Sequence, residues 1–290
     1  MVIDIVLLII ALVALVIASG TDIRTREVPD WFNFSLIFIG LGLRLIYSSL
    51  TFDWFYSLEG ALGLIAAVVI GFIMFYAGQW GGGDSKLLMG LGALVGLRLS
   101  FDTVPMFLIL IINIVLVGSL YGLVYIMFKA AAHWTDFIKQ FKAYFRSDKR
   151  MKLHKYFAIL SLVMLAFTIL ITKDFIVRLL ILILVILLYF GVYAYFLVKS
   201  VEKVAMLKLV DPSELTEGDW IAKDIFVNKR KIAGPKDLGV SKEQIKRLVG
   251  YYKKGKIKKV LMKVGIPFVP SFLIAFILTL LFEAWWIVLF

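Results

Sequence analysis

Long, almost uncharged apolar runs fill most of the 290-residue chain and leave few folds open to it. A stretch of about 20 apolar residues is enough to cross the roughly 30 Å hydrocarbon core of a bilayer as a helix. Such runs, or near approaches to them, cover Val2–Ser19, Trp31–Tyr47, Trp54–Gly78, Pro105–Phe128, Tyr156–Thr172, Phe175–Val198 and Gly265–Phe290. One more, Asp84–Leu99, is short. About 15 residues rise only roughly 22 Å, so this helix crosses a bilayer only with local thinning or burial among its neighbours. With 62% hydrophobic residues and a mean hydropathy of +0.95, the chain reads as an all-α polytopic membrane protein. About eight transmembrane helices are expected, one of them short, with a small α+β cytoplasmic domain before the last. The first run carries only Asp4 as an early charge and ends without an Ala-x-Ala site, so it is expected to be a retained span, not a cleaved signal.

Composition removes several kinds of chemistry. The chain has no cysteine, which excludes disulfides, thiolate-bound zinc and cysteine nucleophiles. Its two histidines, His133 and His154, both fall in one basic connector, so no metal centre, Ser–His pair or cofactor is expected. The net charge of +12 suggests nucleic acid at first sight. Most of the lysines lie beside apolar runs, however, where cytoplasmic bias accounts for them, and no nucleic-acid partner is expected.

The connector, Lys129–Lys155, places Trp134, Ile138, Phe141 and Phe145 at helical spacing, interleaved with Lys139, Lys142 and Arg146. This predicts an interfacial amphipathic helix facing anionic lipid; a substrate groove is the alternative. Hydropathy falls sharply at Lys199. From there to Lys263 a small water-exposed domain is expected, with strands at Val204–Val210 and Trp220–Val227 and a further one at Lys259–Val264. A helix is expected over Ser241–Lys254, with Ser241 as N-cap and Gly255 past its end. The resulting division is 1–198 in the membrane, including the connector 129–155, then 199–264 in water, and 265–290 as a final transmembrane helix.

Two polar stretches put carboxylates at a membrane boundary. Asp22-Ile23-Arg24-Thr25-Arg26-Glu27-Val28-Pro29-Asp30 follows the first run as a compact loop after Gly20 and Thr21. Gly81-Gly82-Gly83-Asp84-Ser85-Lys86 separates the third and fourth runs. Ionisable residues in such places are functional-site candidates. Three glycines leave the backbone free to take dihedral angles closed to other residues and permit close approach of another chain. Asp84 is placed to cap the helix that follows, and a plain capping role is the structural alternative. If the Asp22 loop is cytoplasmic, the alternation of spans brings the Asp84 loop, the connector and the 199–263 domain to the same side. Only Arg44, Arg98, Lys173 and Arg178 then lie opposite, which satisfies the positive-inside rule.

Two carboxylates sharing one proton can hydrolyse an amide without a covalent intermediate. The ionised one takes a proton from water and the protonated one donates toward the carbonyl oxygen or leaving nitrogen. Such a pair titrates as a unit. The alternative is an ion- or proton-coupled transporter, but those sites lie near the midplane, often in repeated broken helices. These aspartates lie at a boundary, and no repeat is evident. A non-enzymatic partner in a secretion assembly is a third possibility.

Gly81-Gly82-Gly83-Asp84-Ser85-Lys86-Leu87 resembles the Gly-x-Gly-Asp-x-Lys-[Leu/Met] signature of the type IV prepilin peptidases, including archaeal preflagellin peptidases. Asp22-Ile23-Arg24-Thr25-Arg26-Glu27-Val28-Pro29 resembles their first aspartate motif, Asp-x-Arg-x-x-x-[Ile/Val]-Pro, which also follows a first span. The resemblance implies an aspartic endopeptidase of the Gly-x-Gly-Asp intramembrane type. Asp22 and Asp84 would be its catalytic pair, Gly81 and Gly83 would shape the loop, and Lys86 would lie near the site or reach headgroups. Position 30, Asp30 here, is usually Asn in the family. The implied substrates are prepilin-like or preflagellin precursors with a short basic leader, a small residue at the cut and an apolar helix, cleaved at the cytoplasmic face of the plasma membrane. Bacterial members carry paired Cys-x-x-Cys in a cytoplasmic insertion and often methylate the product. This chain has neither, so it resembles the archaeal branch and no methyltransferase activity is expected. Glu27 and Asp30, near Asp22, are candidates for attracting the leader's basic residues. No Tyr-Asp or Pro-Ala-Leu motif of the presenilin-like proteases is found.

Within the runs, Arg44 and Glu59 stand equally far from the turn near Leu50–Thr51, so a structural pair is expected. Gly92 with Gly96, and Gly118 with Gly122, have the spacing of close helix contacts. Asn113 is expected to make an interhelical hydrogen bond.

Overall fold

A computed structural model of the chain describes residues 2–99, 103–146, 148–237 and 239–284, without the side chains of 145, 146 and 148–154. Phe145, Arg146 and His154 of the connector, and the end of the last run at Phe290, fall outside this description. Among the described residues ten helices carry the fold: α1 (Val2–Thr25), α2 (Asp30–Thr51), α3 (Trp54–Tyr76), α4 (Gly82–Val95), α5 (Met106–Ala132), α6 (Trp134–Arg146), α7 (Asp148–Ile171), α8 (Phe175–Ala205), α9 (Lys242–Lys253) and α10 (Val269–Phe282). Five short strands lie before α10: β1 (Leu207–Val210), β2 (Trp220–Ile221), β3 (Ile225–Val227), β4 (Arg230–Ala233) and β5 (Val260–Lys263). The chain is thus a polytopic helical membrane protein with a small sheet region before its last helix. Among the described residues α1, α2, α3, α5 and α8 are long and apolar enough to span a bilayer. The other three expected spans are shorter apolar helices: α4, the Lys155–Ile171 part of α7, and α10.

Several boundaries differ from expectation for local reasons. Helix α1 does not stop at Ser19 but runs through Asp22 to Thr25. A single glycine costs a helix only about 1 kcal/mol relative to alanine, and Thr21 Oγ1 donates back to Ala18 O at 2.9 Å, so nothing there breaks the helix. It ends where Arg26 takes φ 62°. Helix α8 continues past Val198 to Ala205, supported by a Lys199–Glu202 pair at 2.9 Å one turn apart. The stretch Trp220–Val227 is not one strand but β2 and β3, and β3 turns back into an unexpected strand, β4. The turn between them is Asn228-Lys229, both left-handed at φ 51° and 64°, a hairpin turn made without the glycine that usually signals it. Helix α9 starts as expected: Gln244 N donates to Ser241 Oγ, and Ser241 N donates to Gln244 Oε1.

The chain divides into two compact units. One comprises the residues through Val124, Val210–Val260 and those from Gly265 onward. Its core gathers Leu7, Leu15, Leu88, Leu91, Phe107 and Phe272, all buried. Helix α4 packs closely on α3 and α2, and α1 lies against α10 and α4. Glycines permit the α3–α4 approach. A Cβ at Gly63 would collide with Gly92 O, and one at Gly92 with Gly63 O. Gly92 and Gly96 are therefore contact residues, and Gly118 faces Phe268, whereas Gly122 has open space around it. Asn113 bridges helices by donating to Thr279 Oγ1 at 2.9 Å.

The short α4 ends inside the bundle, and buried Arg44 accommodates its carbonyls. The guanidinium donates to Leu94 O at 3.1 Å, Val95 O at 2.9 Å and Tyr56 O at 3.1 Å, and lies 3.8 Å from the Glu59 carboxylate. The expected Arg44–Glu59 pair is present, and it fixes the far end of the helix whose near end carries Asp84.

The second unit comprises Tyr125–Leu209 and Leu261–Val264. In it α6 packs on α8 and α7 through buried Phe137, while Trp134 stays exposed. Strands β1 and β5 are hydrogen-bonded neighbours, and Val264 N donates to Met206 O at 2.8 Å.

Candidate active site

Asp22 occupies the inward stripe of α1. Leu7, Ala11, Ala14, Leu15 and Ala18 are buried at helical spacing, and Asp22, only 5% exposed, is the next position on that face. The helix therefore carries a carboxylate into the packed bundle at its last turn. Burying a charged carboxylate without donors is costly, and one donor comes from far along the chain: Val269 N, in the first turn of α10, donates to Asp22 Oδ2 at 2.9 Å.

Asp84 reaches the same region from α4. The helix starts at Gly82 rather than at Asp84, so Asp84 is the third residue of its first turn and not its cap. Its Oδ2 accepts a hydrogen bond from Gly81 N at 3.0 Å. A carboxylate there suits the positive end of a helix. The packing of α1 on α4 brings the two carboxylates within direct electrostatic reach of one another.

None of the three glycines before Asp84 takes the left-handed conformation; Gly81 is extended at φ −72°. Conformational freedom is thus not what the triplet supplies. Gly81 supplies room, since a Cβ there would lie 3.3 Å from Asp84 Oδ2. Gly83 lies against the other motif, where a Cβ would meet Val28 N at 3.5 Å. The positive φ that a glycine accommodates falls earlier, at Gly78.

The remaining sequence candidates are distributed around the pair. Lys86 Nζ contacts both oxygens of Asp30 at 2.7 Å, joining the first turns of α4 and α2. Glu27 Oε1 accepts from Thr216 Oγ1 at 2.7 Å. Asp30 therefore has its charge matched by a lysine, whereas Glu27 is bonded to a neutral hydroxyl.

Three parts of the site were not anticipated. Asn33, fully buried one turn into α2, donates to Gly83 O at 3.4 Å, and its Oδ1 has no hydrogen-bond partner among the described residues. Trp80, directly before the glycines, is buried against Phe268 and Phe272. The segment leading into α10 touches the first motif and Trp80, the residue before the second. A buried Asn in an apolar helical run was the one available signal for the first. Nothing local marks the other two.

Residues 9–127, which include Asp22 and Asp84, match the type IV leader peptidase family. A preflagellin peptidase of Methanocaldococcus jannaschii is 39% identical over 87 residues, 30% of this chain and 37% of that protein. One from Methanococcus maripaludis is 37% identical over 115 residues, 36% of this chain and 49% of that protein. One from Methanococcus voltae is 38% identical over 86 residues, 30% of this chain and 36% of that protein. The matched part of the chain thus spans about half the length of these relatives or less. No solved structure matches the chain.

Proposed function

From the match of residues 9–127 to the type IV leader peptidase family, we propose that this chain is a membrane aspartic endopeptidase. It removes the short basic leader from prepilin-like or preflagellin precursors. The observation that supports this reading is that Asp22 and Asp84, on two packed helices, lie within electrostatic reach of each other inside the stretch that matches the family. One carboxylate takes a proton from water, and the other donates to the carbonyl oxygen or leaving nitrogen. Gly81 keeps a side chain out of the space beside Asp84, and Gly83 lets Val28 of the other motif lie close. Both aspartates stand at helix ends, at one end of the α1–α4 bundle. This suits a precursor whose apolar helix lies in lipid while its leader reaches an interfacial site. Charge bias supports the cytoplasmic face of the plasma membrane for that end. The chain has no cysteine with which to build the paired Cys-x-x-Cys of methylating relatives, which supports cleavage without methylation. Residues 1–198 are the catalytic membrane part in this proposal. The amphipathic connector meets anionic lipid.

Co-expression with a candidate precursor tests the proposal through the precursor's size shift. Asp22→Asn and Asp84→Asn are each expected to lower processing by at least roughly 10²–10⁴-fold while the protein stays folded in membranes. Cleavage retained in both variants would exclude the mechanism, and solute flux without cleavage would favour the transporter.

A further inference from the structure

The segment entering α10 converges on the candidate pair from outside both motifs. Val269 N–H reaches Asp22 across 247 positions of sequence. One residue earlier, Phe268 faces the Trp80 indole at 6.4 Å between ring centroids, and Phe272 lies edge-on to the same indole at 5.2 Å. In the same motif as Asp22, Arg26 Nη1 donates to Gly265 O at 3.1 Å. Phe268 is also backed by α5, where a Cβ on Gly118 would collide with its ring. Val269 and Phe272 are fully buried. The segment is thus held to the first motif, to the residue preceding the second, and to a third helix.

We propose that Val269 is a positioning residue for the reaction, acting through its backbone N–H on Asp22; this rests on the peptidase function proposed above. The physical basis is simple. The first N–H groups of a helix have no partner inside the helix and carry its partial positive charge. Asp22 takes one of them with Oδ2. That bond, with the Phe268 N–H beside it, sets the carboxylate's rotamer. Because the same segment clasps Trp80, the seat of Asp22 and the approach of the Asp84 turn are set by one element. The last helix is therefore part of the catalytic apparatus and not only an anchor.

The test uses the full-length protein. Incorporating α-hydroxyvaline at position 269 converts the amide to an ester and removes the N–H while keeping the side chain. A hydrogen bond to a charged group corresponds to roughly a tenfold effect or more. The expected result is a fall of about that size in kcat for a basic-leader precursor with KM changed less than about twofold. Gly118→Ala, which pushes on Phe268, is expected to give a smaller loss of the same kind. In [15N]valine-labelled protein the Val269 amide resonance is expected to move on Asp22→Asn by more than on Asp84→Asn, with no substrate needed. A Val269 resonance indifferent to Asp22→Asn overturns the contact. An unchanged kcat in the ester overturns the positioning role while leaving the peptidase function standing. A parent protein that cuts no precursor, with the resonance still responsive, removes the peptidase function and reduces the contact to a structural one.

Discussion

Glu27 and Asp30 are both acidic and exposed and lie within a few residues of Asp22, yet their surroundings give them different expected roles. Asp30 is neutralised by Lys86 at 2.7 Å. That pair is largely solvated, so its contribution to stability is about 1 kcal/mol or less. Glu27 accepts a hydrogen bond from the neutral Thr216 hydroxyl. If a basic leader is drawn to this rim, Glu27→Gln is expected to raise KM several-fold at low salt, with the effect fading as the Debye length shortens to roughly 8 Å near 0.15 M. Asp30→Asn is expected to do less. Processing kinetics of both variants across a salt series checks this. Equal effects, or a Glu27 effect insensitive to salt, would remove the leader-attraction role. Lys86, which sequence left between a site role and a headgroup role, pairs with Asp30 and so ties α4 to α2.

At the scale of elements, α4 is the unusual piece: 14 residues long, packed between α2 and α3, capped at its buried end by Arg44 and carrying Asp84 at the other. Its close packing on α3 depends on backbone-to-backbone contact at Gly63 and Gly92. Gly63→Ala puts a methyl into the Gly92 carbonyl, and overpacking of this kind costs typically about 1–3 kcal/mol. Thermal unfolding in detergent is expected to show that loss for Gly63→Ala and none for Gly122→Ala, where the added methyl meets open space. Sequence spacing placed Gly118 and Gly122 in the same class. Only the neighbours of each distinguish them, because a four-residue interval says which glycines share a helix face and not whether a partner occupies it.

At the scale of the molecule, Val210–Val260 belongs to the same compact unit as the two motif turns. Thr216 bonds Glu27, and the Trp220 indole would touch a Cβ on Gly78 at 3.5 Å. This segment thus braces both turns. Replacing Val210–Val260 with a flexible linker is expected to lower the melting temperature by several degrees, each kcal/mol being worth roughly 2–4 °C at about this size. It is also expected to slow precursor processing without abolishing it. An unchanged melting temperature would show that the brace contributes nothing.

The apolar runs, the two aspartate motifs, the helix α9 and its Ser241 cap were legible in the sequence because each is encoded locally. Hydropathy over one helix length sets a span, and side chains three residues apart set a cap. The Asn228-Lys229 hairpin and the continuation of α1 past Gly20 were not, since each needs the knowledge that a tolerated local cost is accepted in this fold. The donor to Asp22, the burial of Trp80, the seat of Asn33 and the pairing of Lys86 with Asp30 were decided by tertiary structure alone. A backbone N–H is the same group at every non-proline residue. Which one meets a buried carboxylate depends on how distant helices pack, and no short stretch of sequence carries that information.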